Sequence, residues 1–312
     1  MKYTLRIVGG IFLCIFLISC LNDQKLLKRF LNDAVKDQRR IVFVQLYEIK
    51  LWNPPNEIIS IIKSKDVPTK DSFISPSFCF NREKALFSMD ETNNEGETLS
   101  KLILYNLKKK SEEIIYKSNK RIISPILSPD NKTIAFLSDY KWEDTYSLFI
   151  LNISTKKIMK LLESNTIHGG GYNSNISWSP DSKGIAYSSK EGFLNLVNIK
   201  TGKTEKLIKG YNPLFSPDGK QILFSDSQYK PYTPLIYDFA SKQVQKLNVG
   251  NNIFNAIWSP DGKYLIIVKS HSSFKDILNF NEWSKKVVIY DIAAKEKVDL
   301  FKFEGFEYID FK

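Results

Sequence analysis

The chain has 312 residues, 43% of them hydrophobic and 25% charged, and its 45 Lys and Arg outnumber 34 Asp and Glu for a formal charge of +11. The basic excess is scattered as single lysines through turn segments. It therefore permits contact with anionic lipid, surface polysaccharide or acidic proteins, and without a recognisable nucleic-acid module it argues against a nucleic-acid partner. Three cysteines, Cys14, Cys20 and Cys79, leave at most one thiol beyond the first twenty residues, which excludes an internal disulfide framework in an exported chain. Cys79 has no histidine near it in sequence and reads as a buried strand residue rather than a nucleophile.

The N-terminus, "MKYTLRIVGGIFLCIFLISC", opens with Lys2 and Arg6 and continues as a mostly apolar run from Ile7 to Ser19. Thirteen residues are about two-thirds of the roughly 20 that a membrane-spanning helix needs, so residues 1–19 are read as a secretory signal. The run closes on Leu17-Ile18-Ser19-Cys20, which resembles the lipobox of bacterial lipoproteins. That resemblance implies lipidation of Cys20 as the first mature residue, with a charge near +9 once Lys2 and Arg6 are removed. Each buried acyl CH₂ contributes about 0.8 kcal/mol, and more than one chain makes an anchor durable. The residue after Cys20 is Leu21 and not Asp, so the enterobacterial rule for inner-membrane retention is not met. Residues 20–40 include "QKLLKRFLNDAVKDQRR", whose apolar spacing predicts a short amphipathic helix within a linker.

From residue 41 to 312 the chain repeats itself. Four segments share one pattern: "ILSPDNKTIAFLSD", "SWSPDSKGIAYSSK", "LFSPDGKQILFSDS" and "IWSPDGKYLIIVKS". Their turn residues are Ser128-Pro129-Asp130, Ser179-Pro180-Asp181, Ser216-Pro217-Asp218 and Ser259-Pro260-Asp261. A fifth copy, "FCFNREKALFSMD", keeps the spacing without those letters. Serine, proline at i+1 and glycine at i+3 fit a tight turn, because proline presets φ and glycine accepts positive φ. Asn131 and Ser182 stand at the glycine position in two copies, asparagine being the more tolerant of the left-handed region. Each copy precedes a second apolar segment ending in Asn106, Asn152, Asn198, Asp238 or Asp291, a column spaced 40 to 53 residues apart. Such a residue before a polar turn like "KTGK" can accept hydrogen bonds from nearby backbone N–H groups. The strands between are apolar on both faces, as in sheets covered on two sides. Every Ser-Pro-Asp therefore has a structural role, and none is read as catalytic.

This pattern resembles the PD40 repeats of TolB-like β-propellers, and the resemblance covers about residues 41–312. It implies an all-β, six-bladed β-propeller of four-stranded antiparallel blades. Five units begin near residues 73, 122, 172, 210 and 252, and the N- and C-terminal strands are expected to share the sixth.

The run His168-Gly169-Gly170-Gly171 resembles the oxyanion loop of lipases and esterases, but no G-x-S-x-G follows anywhere in the chain. The glycines instead suit a crossing between blades. His168 and His271 sit in no ligand-spaced motif, and no D-x-D-x-D-G loop occurs, so neither a metal nor any other cofactor is expected. No catalytic constellation emerges, and a non-enzymatic role is expected.

Strand parity places the Ser-Pro-Asp and "KTGK"-type turns on one face of the disk and the longer, variable connections on the other. The second face collects Tyr140, Trp142, Tyr146, His168, Tyr172, Tyr229, Tyr232, His271, Phe274 and Trp283, an aromatic-rich set of the kind that recognises partners. The expectation is a lipid-anchored envelope scaffold for protein partners, on the periplasmic side or in the outer membrane. The competing expectation is a periplasmic propeller that binds, and even processes, a saccharide or peptide.

Overall fold

The computed structural model describes residues 21–36, 41–45, 48–53, 57–62, 74–78, 84–92, 97–106, 109, 111–141, 145–168, 176–227, 232–250, 252–270, 284–304 and 306–311. One helix, α1 (Leu21–Lys36), precedes three strands, β1 (Ile41–Gln45), β2 (Glu48–Asn53) and β3 (Glu57–Ile62). Five blades of four consecutive strands follow. Blade 1 comprises β4 (Ile74–Phe78), β5 (Lys84–Thr92), β6 (Thr98–Asn106) and β7 (Ser111–Ser118). Blade 2 comprises β8 (Ile123–Leu127), β9 (Thr133–Lys141), β10 (Thr145–Asn152) and β11 (Ile158–His168). Blade 3 comprises β12 (Ile176–Trp178), β13 (Gly184–Ser188), β14 (Phe193–Asn198) and β15 (Thr204–Lys209). Blade 4 comprises β16 (Tyr211–Phe215), β17 (Gln221–Ser225), β18 (Pro234–Asp238) and β19 (Val244–Lys246). Blade 5 comprises β20 (Ile253–Trp258), β21 (Tyr264–Ser270), β22 (Ser284–Asp291) and β23 (Glu296–Glu304), and the last strand is β24 (Phe306–Phe311).

The count of six blades expected from the sequence is corrected here to five blades of this build. The chain ends form a separate composite sheet of order β24-β1-β2-β3. No tight turn joins β24 to β1. Their antiparallel register, Ile41 opposite Phe311 and Val44 opposite Tyr308, is a long-range pairing with a shift at Val44/Gln45. β24 approaches both β20 and β4, so the composite sheet lies between blade 5 and blade 1.

Consecutive blades stack face to face, which is why their strands are apolar on both sides. Leu86, Leu102 and Leu104 of blade 1 pack on Leu127, Ile134 and Phe136 of blade 2. Leu137 and Leu148 of blade 2 meet Trp178, Ile185 and Val197 of blade 3. Ala186 and Leu194 of blade 3 meet Ile222 and Phe224 of blade 4. Leu223 and Ile236 of blade 4 meet Trp258, Leu265 and Ile267 of blade 5.

The helix is where the structure departs from a linker. Leu26 and Phe30 lie one turn apart, and both are buried against Tyr264, Ile266, Val268, Val287 and Ile289. These belong to the face of blade 5 opposite the one packed on blade 4, as strand alternation requires. The Phe30 ring stands edge-on to Tyr264 at 5.4 Å between centroids. Arg29 Nη2 donates to Asp291 Oδ2 at 2.6 Å, and the Tyr264 hydroxyl donates to Asp33 Oδ2 at 3.0 Å. Apolar and polar contacts together fix the helix in position and in rotation.

Candidate functional site: two unlike ends of the blades

At one end of the blades the connections among the described residues are short and closed by their own side chains. In each Ser-Pro-Asp turn the fourth residue donates its N–H to the serine carbonyl: Asn131 to Ser128, Ser182 to Ser179, Gly219 to Ser216 and Gly262 to Ser259, each at 2.9 Å. The serine hydroxyl donates to the aspartate at 2.6–2.7 Å and accepts an N–H from the residue that opens or precedes the next strand: Thr133, Gly184, Gln221 or Tyr264, at 2.9 Å. The aspartate accepts a further N–H from Lys132, Lys183, Lys220 or Lys263. The fourth residue has positive φ in all four copies, including the non-glycines Asn131 and Ser182 at 60°. Asp181 and Asp218 are held below the usual carboxylate range, chiefly by the hydroxyl donated from Ser179 and Ser216.

The Asn/Asp column serves the neighbouring turns at the same end. Asn106, Asn152, Asn198, Asp238 and Asp291 each accept an N–H from three residues on, at Lys109, Thr155, Thr201, Ser241 and Ala294. Register places the two turn types side by side, with Thr133 opposite Asn152 and Gly184 opposite Asn198. Turns of successive blades also touch. The Ser182 hydroxyl accepts the Asp130 N–H at 3.1 Å, and a Cβ added at Gly219 would lie 3.4 Å from Pro180. The serine hydroxyls, the aspartates and the Asn/Asp column of these turns are thus used within the turns themselves, which closes the blades at this end.

The opposite end is built differently. Blade-to-blade crossings are held by serines: Ser138 Oγ donates to the Arg121 carbonyl, Ser188 Oγ accepts the Asn212 N–H, and Ser225 Oγ donates to the Tyr211 carbonyl. Asp90, nearly buried, accepts from Ser100 Oγ at 2.5 Å and pairs with Arg121 Nε at 2.9 Å, tying blade 1 to the crossing into blade 2. Next to the turn end, by contrast, two indoles reach back across a blade boundary: Trp178 Nε1, just before Ser179, donates to the Ile126 carbonyl, and Trp258 Nε1, just before Ser259, to that of Leu214.

Of the aromatic set expected to recognise a partner, Tyr146 and Tyr232 are each 8% exposed and pack in the blade 2–3 and blade 4–5 cores. Tyr140 lies in β9, and His168 closes β11 opposite Thr145, with neither side chain described. Trp142, Tyr172, Tyr229, His271, Phe274 and Trp283 lie outside the described residues, as do Cys20 and Cys79. Among the described residues no three His, Cys, Asp or Glu side chains group so as to hold a metal ion. No helix among them is long and apolar enough to cross a membrane.

Radially stacked antiparallel blades whose turns sit at one end and whose crossings sit at the other define a β-propeller. The chain matches the TolB beta propeller domain family over residues 72–305, and it belongs to that family. It is 29% identical over 159 residues to the Tol-Pal system protein TolB of Francisella tularensis subsp. tularensis, covering 48% of this chain and 35% of that protein. The matched region thus spans about a third of the length of these curated relatives. Among solved structures, TolB from Acinetobacter baumannii aligns with a TM-score of 0.67 at 14% identity, over 88% of this chain and 66% of that one. Oligogalacturonate lyase from Vibrio parahaemolyticus aligns with a TM-score of 0.52 at 14% identity, over 85% and 73%. At such identity the structural likenesses show the shared fold alone, and no catalytic residue is carried over from the lyase.

Proposed function

We propose that this chain is a non-enzymatic scaffold of a bacterial envelope, anchored by a lipid on Cys20, that presents the crossing end of its propeller to a protein partner. The observation that carries this reading is the asymmetry between the two ends. The turn end uses its serine hydroxyls and carboxylates to close its own turns, whereas the crossing end carries the variable, aromatic-rich connections of the sequence. Membership of the TolB beta propeller domain family supports it, since the matched relatives are named as Tol-Pal system proteins. The docked helix adds a mechanical consequence. α1 starts at Leu21, immediately after the proposed lipid site, so blade 5 is coupled to the anchor without a long tether.

The experiment is affinity capture from crosslinked envelopes with the native chain and a Trp142→Ser/Trp283→Ser variant. A recurring protein partner captured by the native chain and lost in the variant supports the reading. Undiminished capture by the variant, or retrieval of a sugar or peptide alone, contradicts it. Metabolic labelling with an alkynyl fatty acid tests the anchor separately: the native chain is labelled and Cys20→Ser is not.

A further inference from the structure

The segment Leu247–Gly250, which leaves blade 4 for blade 5, crosses the edge of the core between them, with Leu247 and Val249 buried in it. Three lysines of blade 5 converge on this crossing. Lys269 on β21 is the register partner of Lys286 on β22, so the two share a face. Lys297 on β23 lies opposite Tyr290, whose ring packs in the same core, and so extends over that face too. The Lys269 ammonium donates to the Val249 carbonyl at 2.9 Å. Gly250, at φ +82°, has no side chain here; a Cβ would lie 2.7 Å from Lys269 Nζ and 4.0 Å from Lys297 Nζ. The two ammoniums are thus no more than about 7 Å apart, since both lie that close to one point. Lys286 is engaged by Asp299 at 2.7 Å, the one carboxylate beside the group among the described residues.

Three ammoniums facing one carboxylate leave two positive charges concentrated over a glycine. Holding like charges together costs free energy unless an anion joins them. Burial, followed by the charges of Lys297 and Lys286, lowers the Lys269 pKa, as expected of a site short of negative charge. Hydrogen bonds of about 2.8 Å from two ammoniums to different oxygens of one tetrahedral anion span a gap of this size. A phosphate monoester carries a charge of about −1.5 to −2 near neutral pH, which matches the deficit.

We propose that Lys269 and Lys297, with Lys286 beside them and Gly250 as the floor, form a binding site for a phosphate or phosphomonoester group at the blade 4–blade 5 boundary. The anion is either free in solution or part of a phosphorylated lipid headgroup.

Titration calorimetry of the purified full chain with inorganic phosphate, at low ionic strength and pH 7, tests this. One saturable site per chain is expected, weakened at least tenfold in both Lys269→Met and Lys297→Met and unchanged in Lys220→Met, which alters a lysine of the turn end. Lys297 is exposed, so its variant keeps the test valid if Lys269→Met fails to fold. Flotation with phosphatidylcholine vesicles, with and without 20% phosphatidic acid, separates the sources. Capture that depends on phosphatidic acid and on Lys297 assigns a headgroup, and saturable phosphate binding without it assigns a solution anion. Absence of saturable phosphate binding, or equal binding in the Lys297 variant, overturns the proposal.

Discussion

Replacing Phe30 by alanine tests whether α1 is part of the folded propeller or an appendage. The ring is fully buried, 0% exposed, and stands edge-on to Tyr264. Truncating a buried phenylalanine costs about 3–5 kcal/mol, of which the aromatic pair accounts for roughly 0.5–1.5 kcal/mol. For a chain of this size each kcal/mol shifts the melting temperature by about 2 °C, so the expected fall is roughly 6–10 °C. Asn32→Ala, on the exposed side of the same helix, serves as control and is expected to shift it by about 1 °C or less. If the helix can detach while the blades stay folded, the loss has a ceiling at the docking free energy. In that case Leu26→Ala/Phe30→Ala costs no more than Phe30→Ala alone, and hydrogen exchange shows α1 opening before blade 5. A melting temperature equal to that of the Asn32 control would refute the reasoning, because it would mean that Phe30 contributes nothing to the fold.

Other consequences follow from the same contacts. Ser259→Ala removes a buried hydroxyl that serves both Asp261 and the Tyr264 N–H, and is expected to cost about 1–3 kcal/mol in urea unfolding. Gly262→Ala places a side chain at φ +71° with only an ordinary contact to Pro217 at 3.6 Å, so its cost is that of the backbone alone, about 1 kcal/mol. Tyr187 and Tyr264 are both pushed up to about 12 by burial, aided by Glu191 and by the Asp33 hydrogen bond respectively. A tyrosine whose folded pKa lies above its unfolded value of about 10 stabilises the fold fully below pH 10 and loses that contribution between 10 and 12. Tyr290 is raised in the same direction by burial, so ultraviolet titration is expected to show late-ionising tyrosines that include these three, with stability falling across that window and Tyr264→Phe removing part of the fall.

Much of this architecture was readable because its signals are local. Serine, proline and a positive-φ residue at fixed offsets announce a turn wherever they recur, and Asn106 through Asp291 announce the neighbouring turns in the same way. The serine's second role, accepting the N–H at the head of the next strand, is equally local, yet the residue letters alone do not separate it from a simple turn former. What escaped is long-range. The apolar stripe of α1 predicts a covered face but not its cover, which lies more than two hundred residues away at Tyr264 and Asp291. Only the stacking of sheets shows the indoles of Trp178 and Trp258 donating across a blade boundary. Strand parity assigned Tyr146 and Tyr232 to the recognition end, but parity carries no information on burial, and both pack inward. The pairing of the chain ends was legible from the strands left over at each terminus, and it forms a composite sheet beside the five blades rather than a sixth of their build.

The central claim is that the crossing end, and not the turn end, meets a protein partner. Site-specific photo-crosslinking in intact cells addresses it directly, with the photoreactive residue at position 142 or 283 in one set and at 183 or 220 in the other. The account predicts a discrete crosslinked protein from the first set and none from the second; the same adduct from both sets, or from positions 183 and 220 alone, would contradict it.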